Sequence, residues 1–363
     1  MTGHAIAFVV LCAVLFVLPL LPALLEWRLK RDAAPLKVVR EYDGNIKHFA
    51  NGFRQFLGQH FPGLIPDSAA APGLPPMDPG SYQLIGAGGS ASFAPAELAA
   101  RACPRLLIGA GQVALGDGMF YEKELYAGAD LGGGNGNSFR AILARGDIRL
   151  GDDCAILRWA HSDASLALGM RARLYGRVSA EREISLQRGS RFGRMWAPLI
   201  RFGAAPSGSA TELALRARHA LVLPDDILDQ SELRWLVSGS LKVPADASHA
   251  GDLVSRKHVS VGDHACLHGN IKSNGDMVIG NDVHIDGALV ATGKLQIGRG
   301  CLIKGPIVCD GQVIIGSGTV IGRAGLPTTV TASEIRVEEG VLAHGTVWAR
   351  EVGLVAAPRV EGA

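Results

Sequence analysis

From residue 277 to 300 the chain reads MVIGNDVHIDGALVATGKLQIGRG, so Ile279-Gly280 returns as Ile297-Gly298 after 18 residues. Apolar pairs two apart recur every six residues, at Met277/Ile279, Val283/Ile285, Leu289/Ala291, Leu295/Ile297, Cys301/Ile303, Ile307/Cys309, Val313/Ile315 and Thr319/Ile321. A pair at i and i+2 is a short strand with both side chains on one face. Between the pairs, Gly262, Gly269, Gly275, Gly280, Gly287, Gly293, Gly298, Gly305, Gly311 and Gly316 mark corners, where glycine is expected to supply unusual backbone angles. Three six-residue sides make one triangular coil of 18. Successive coils would stack about 4.8 Å apart. The fold class is therefore all-β, a β-helix (solenoid).

The period reaches back to about residue 239. Beyond a four-residue insertion near GLPTTV it resumes, with Val337, Val341, Gly345 and Val347 falling 40 after Ile297, Cys301, Gly305 and Ile307. An upstream array shares the period: Leu150, Leu168 and Leu186 align, as do Cys154, Ala172 and Ser190, and Ala160, Val178 and Trp196. A single coil buries too little apolar surface to offset the entropy of ordering it, so stability resides in the stack. Open coil ends must be capped or joined to another chain.

Residues 5–25, AIAFVVLCAVLFVLPLLPALL, are uncharged over about the length of a bilayer core. They lack the basic n-region and small-residue cleavage site of a signal peptide, which predicts a retained transmembrane helix. Arg28, Lys30, Arg31, Lys37, Arg40 and Lys47 follow, and no Lys or Arg precedes. The positive-inside rule thus expects an inner-membrane protein with its body in the cytoplasm. Val39, Tyr42, Ile46, Phe49, Phe53 and Phe56 form a helical stripe, either a coiled-coil seam or, preferred here, a face packed on the body. The expected organisation is a transmembrane helix at 1–27, a juxtamembrane amphipathic helix at 28–60 and a Pro/Gly/Ala-rich linker at 61–104. A first array at 105–200, a connector at 201–238, a second array at 239–353 and a tail at 354–363 follow.

A net charge of +2 gives no electrostatic footprint for nucleic acid. The glycine loops LIGAGGSAS and LGGGNGNS lack the Lys-Ser/Thr of a phosphate loop. No cofactor and no catalytic residue is expected.

SVGDHACLHGNIKSNGDMVIGNDVHIDG and EIRVEEGVLAHGTVWARE, within 239–353, have short β-pairs, Gly corners and charged outer positions. GRVSAEREISLQRGSRFGR upstream has them too. In this the chain resembles the bactofilins, a polymer-forming bacterial cytoskeletal family. The resemblance implies a right-handed β-helix, nucleotide-free filaments formed through coil ends, association with the inner membrane, and protein partners in envelope or polysaccharide synthesis. The membrane span, linker and second array depart from that family's usual single array. Upstream coils that capped the downstream ones would keep the shape and remove polymerisation, leaving a non-polymeric membrane adaptor.

The aliphatic-Gly hexads IGNDVH, IGRGCL and IGSGTV also fit left-handed hexapeptide acyltransferases, which need a histidine base. His258, His264, His268, His284 and His344 are available for that role. With Ala265 and Leu267 inward, His264, Cys266 and His268 are expected to face outward, with His284 beside Cys266 on the next coil. These four are a candidate zinc site, weighed against a plain solvated polar face. Outer positions Val278, Val290, Leu302, Val308, Ile314 and Val320 form an apolar patch. The stripe helix, a partner or another copy could cover it.

Overall fold

The structure is a computed structural model. It describes residues 45–61, 63, 77–86, 89–204, 219–222, 227–231 and 233–359, with isolated positions 3, 7, 8, 11 and 18. Met1–Asn45 and Ile46–Ala363 are separate compact units, and the following concerns the second. Apart from those isolated positions, the expected span at 5–25 lies outside the described residues, as do Val39 and Tyr42. No helix among the described residues is long and apolar enough to cross a membrane.

At 53% strand, the molecule is a β-solenoid of about 13 turns. Inward residues stack in register: Leu125, Ile142, Ala160 and Val178 upstream, and Leu241, Val259, Met277, Leu295 and Val313 downstream. The insertion lengthens one coil, so Val313 meets Ile335. The core repeat Ile279, Val283, Ile285, Leu289, Leu295, Ile297, Ile303, Ile307, Val313 and Ile315 is wholly buried. Upstream, the strand Arg173–Ala180 slips by one against Arg191–Phe202, so Met195 rather than Trp196 pairs with Val178 and enters the core.

The solenoid begins earlier than expected. Tyr82–Ile85 pairs with Leu106–Gly109, and the first coil carries a short helix, Pro95–Ala100. It also extends into the expected connector and tail, with Arg234–Val237 pairing on Asp252–Ser255 and Val341–Ala356 running to the end of the stack.

Within each array neighbouring coils pair in parallel, but the last coils of the two arrays pair antiparallel. Met195 lies opposite Val347, Ile200 opposite Ala343 and Phe202 opposite Val341. The C-terminal edges of both arrays therefore face each other. A single hydrophobic core, holding Ile142, Phe192, Phe202, Val347 and Leu241, runs through this seam. Each array supplies the hydrogen-bonding edge that the other would leave open.

The corner glycines act by a different mechanism from the one expected. None of the ten has positive φ. A Cβ on Gly287 would instead sit 2.2 Å from the Gly269 carbonyl oxygen of the coil below, and one on Gly305 would sit 2.3 Å from that of Gly287. Close approach of stacked backbones selects glycine here. The left-handed corner is a different set, occupied in turn by Asp246, His264, Asp282, Gly300 and Gly318. Asp is among the few side-chain-bearing types enriched in that region.

Polar ladders tie the corners together. Asp263 Oδ1 accepts from the Asn281 N–H at 2.6 Å, and Asn281 Oδ1 from the Arg299 N–H at 2.9 Å. Ser255 and Ser273 donate to carbonyls of Gly239 and Lys257. Cys309 takes the same place two coils above Ser273, its Sγ donating to Gly293 at 3.0 Å. Cys301 likewise donates to Gly280 at 3.1 Å, and burial pushes its thiol up to about 11. These cysteines are core donors, protonated at neutral pH.

The helix α1, His48–His60, packs on the body as preferred, but on the outside of the first array. Its buried face is Ala50 and Leu57, with Phe53 and Phe56 packed against Leu106, Ile108, Tyr126, Leu143 and Trp159, while Phe49 is exposed. Arg54 holds Asp163 at 2.6 Å, and Lys47 holds Glu181 at 2.5 Å. The helix therefore does not cover the patch at Val278 and Val308, which stays exposed; Ile314 is buried. Truncating Leu57 to alanine removes a fully buried side chain and should weaken docking by about 2–3 kcal/mol. Hydrogen exchange should accelerate through 48–60 and stay slow at Ile142. Unchanged exchange in the helix would refute the packing argument.

Candidate functional site

The strand Cys266–His268 follows the left-handed corner at His264. Ala265 and Leu267 point into the core, so Cys266 and His268 share the outer face. Register puts Cys266 between Ser248 on the preceding coil and His284 on the following one. Expected to be outward, Cys266 does face that way, but its neighbours leave it only 4% exposed. His268 lies 3.4 Å from it, Nε2 to Sγ.

Asp286 organises this face. Its Oδ2 is 2.5 Å from His268 Nδ1, and its Oδ1 is 2.9 Å from His284 Nε2 and 2.6 Å from Lys304 Nζ. The hydrogen bond from Lys304, joined by that from His268, holds the Asp286 carboxyl well below the usual carboxylate range. An ionised carboxylate only accepts, so Nδ1 of His268 carries a proton toward Asp286, and in the neutral ring Nε2 is the acceptor that faces the thiol. Burial, reinforced by the Lys304 charge, lowers the pKa of His284 and keeps it neutral at pH 7.

This arrangement is a hydrogen-bonded line and not a coordination shell. His284 Nε2 and both nitrogens of His268 are engaged by side chains. His264 belongs to the corner column, where it approaches Asp246 at 3.6 Å and Asp282 at 3.8 Å. Among the described residues no group of His, Cys, Asp and Glu is arranged to hold a metal ion. The four zinc candidates are thus divided: Cys266, His268 and His284 come together, and His264 sits one corner earlier. Of the other histidines, His258 Nδ1 accepts from the Asp276 N–H at 3.0 Å, and His344 Nδ1 donates to the Pro198 carbonyl at 2.8 Å. Both serve the scaffold.

In sequence Asp282 and Asp286 flank His284 as possible carboxylate ligands, whereas the structure makes Asp286 the hydrogen-bond partner of both His268 and His284. The signal was available: 286 is 18 after 268, so an acid and a histidine on the same outer column must meet.

The lowered pKa of His284 makes a pH prediction. The folded state binds its proton less readily than the unfolded chain, so its contribution to stability is present above the ordinary value of 6.5 and lost as pH falls below it. Thermal melting should fall between pH 7 and 5, and His284→Gln should flatten that slope. An identical slope in the variant would refute the assignment.

No family model, curated protein or solved structure matches the chain.

Proposed function

We propose that the chain is a rigid β-solenoid scaffold of the bactofilin kind. Residues 5–25 tether it to the inner membrane, the body lies in the cytoplasm, and it self-associates to organise envelope or polysaccharide machinery. The observation that supports this is the seam, where two coil ends join by strand pairing over a continuous core. Coil ends of this protein are surfaces that can meet other coil ends. The seam uses the C-terminal edges, so contacts between copies would fall to the N-terminal coils. A second reading, the non-polymeric adaptor, draws support from α2, Pro95–Ala100. This helix is fixed to the first coil by Glu97, which accepts two hydrogen bonds from Arg105.

Electron microscopy of the full chain in detergent, over a concentration series without nucleotide, separates them. One copy of about 13 turns should be a rod of about 60 Å at the usual strand spacing. Filaments with a repeat of that order are expected. Isolated rods at every concentration would overturn self-association and leave the adaptor.

A further inference from the structure

Three groups of the outer face stand in the order nucleophile, base and orienting carboxylate. Cys266 Sγ is 3.4 Å from His268 Nε2, and His268 Nδ1 is 2.5 Å from Asp286 Oδ2. Geometry of this kind, with the base held in one tautomer by a third group, activates a thiol. The line is built across two coils, because 268 and 286 are register partners 18 apart, and Lys304 anchors the carboxylate from a third. The remaining described cysteines differ. Cys103, Cys154, Cys301 and Cys309 are core residues at 0–1% exposure, and each Sγ donates to a backbone carbonyl.

We propose that Cys266 is a nucleophilic thiol that takes a small acyl group from a thioester, with His268 as its base and Asp286 positioning that base. The thiol proton passes to His268 Nε2 as Sγ attacks the thioester carbonyl. The new S–C bond forms, the bond to the leaving sulfur breaks, and the departing thiolate takes the proton from the imidazolium. The products are an S-acyl Cys266 and a free thiol, with no change of oxidation state. Near-complete burial of Cys266 limits the donor to a short acyl chain. The register neighbours of Cys266 are Ser248 on the preceding coil and the larger His284 on the following one. The proposal does not depend on self-association.

The test exposes the full chain in detergent to the acetyl thioester of N-acetylcysteamine and maps adducts by mass spectrometry against time. Iodoacetamide in parallel reports access to each thiol. The expected result is acetylation of Cys266 at least about tenfold faster than of the four core cysteines. His268→Gln should slow it about tenfold or more, and Asp286→Asn should slow it by less. The His268 side chain is half exposed, so His268→Gln should keep the wild-type circular dichroism and melting. Absence of an adduct on Cys266 overturns the proposal, whether or not iodoacetamide reaches it. An acetylation rate unchanged in a folded His268→Gln variant also overturns it, because the thiol would then react without its base.

Discussion

Replacing Gly353 with leucine should open the seam between the two arrays. A Cβ at this position would lie 2.0 Å from Cε2 of Phe192 and 2.3 Å from its Cδ2. Gly353 and Phe192 are direct partners in the antiparallel pairing. The Phe192 ring cannot give way cheaply, since it is 2% exposed and packs on Phe202 at 5.5 Å between centroids. The strain of inserting a whole side chain should cost about 3 kcal/mol, at the upper end for overpacking. Because the seam is the only place where the two arrays pair among the described residues, the loss should be local. Amide protection should fall across Arg191–Phe202 and Val341–Ala356, persist at Leu289–Ala291, and be accompanied by a larger hydrodynamic radius. Adding Phe192→Ala should recover part of the loss, because the two changes share one space. Wild-type protection along both strands in Gly353→Leu would show that the seam is not the contact that joins the arrays.

A single methyl group at Gly287 should be nearly as damaging, for a different reason. Its Cβ would meet the Gly269 carbonyl carbon at 2.4 Å and oxygen at 2.2 Å, and the Asn270 nitrogen at 2.7 Å. These are backbone atoms held by the ladder, including the Asp286 N–H to Leu267 bond of 3.0 Å and the Ala288 N–H to Asn270 Oδ1 bond of 2.8 Å. Relief requires the coils to separate, which lengthens those bonds together. The expected loss for Gly287→Ala is about 3 kcal/mol. At about 2.1 cal/mol/K of unfolding entropy per residue, that corresponds to roughly 4–5 °C in Tm for a unit of this size. Gly132 is the control: a Cβ there meets nothing within 4 Å, and Gly132→Ala should stay within about 0.5 kcal/mol. Equal melting of the two variants would sink the close-approach argument.

The solenoid was legible because each coil touches mainly the coils directly above and below, so spatial contacts appear as a fixed offset in the chain. Met277, Leu295 and Val313 could be aligned without coordinates, and the same offset brought His284 beside Cys266. The offset also carried the reading across the insertion to Val337 and Val347. It failed at Trp196, where a one-residue slip hands the core position to Met195. A bulge leaves no periodic trace.

Other features lie outside any periodic signal. Glycines at 269, 287 and 305 look alike in sequence whether they serve φ or clearance, and only the distance to the neighbouring carbonyl separates the two. The landing place of α1 was partly visible in runs such as AILA at 141–144, apolar on both faces because both are covered. Choosing between that face and the Val278 patch required the packed surfaces themselves. The near-complete burial of Cys266 likewise depends on side chains from adjacent coils closing over it. The seam is the furthest from sequence. It joins Phe202 to Val341 and Phe192 to Gly353 in antiparallel order, with no shared period linking the two segments. Repetition encodes contacts between neighbours in the stack, whereas the meeting of the two ends depends on where the whole chain brings them.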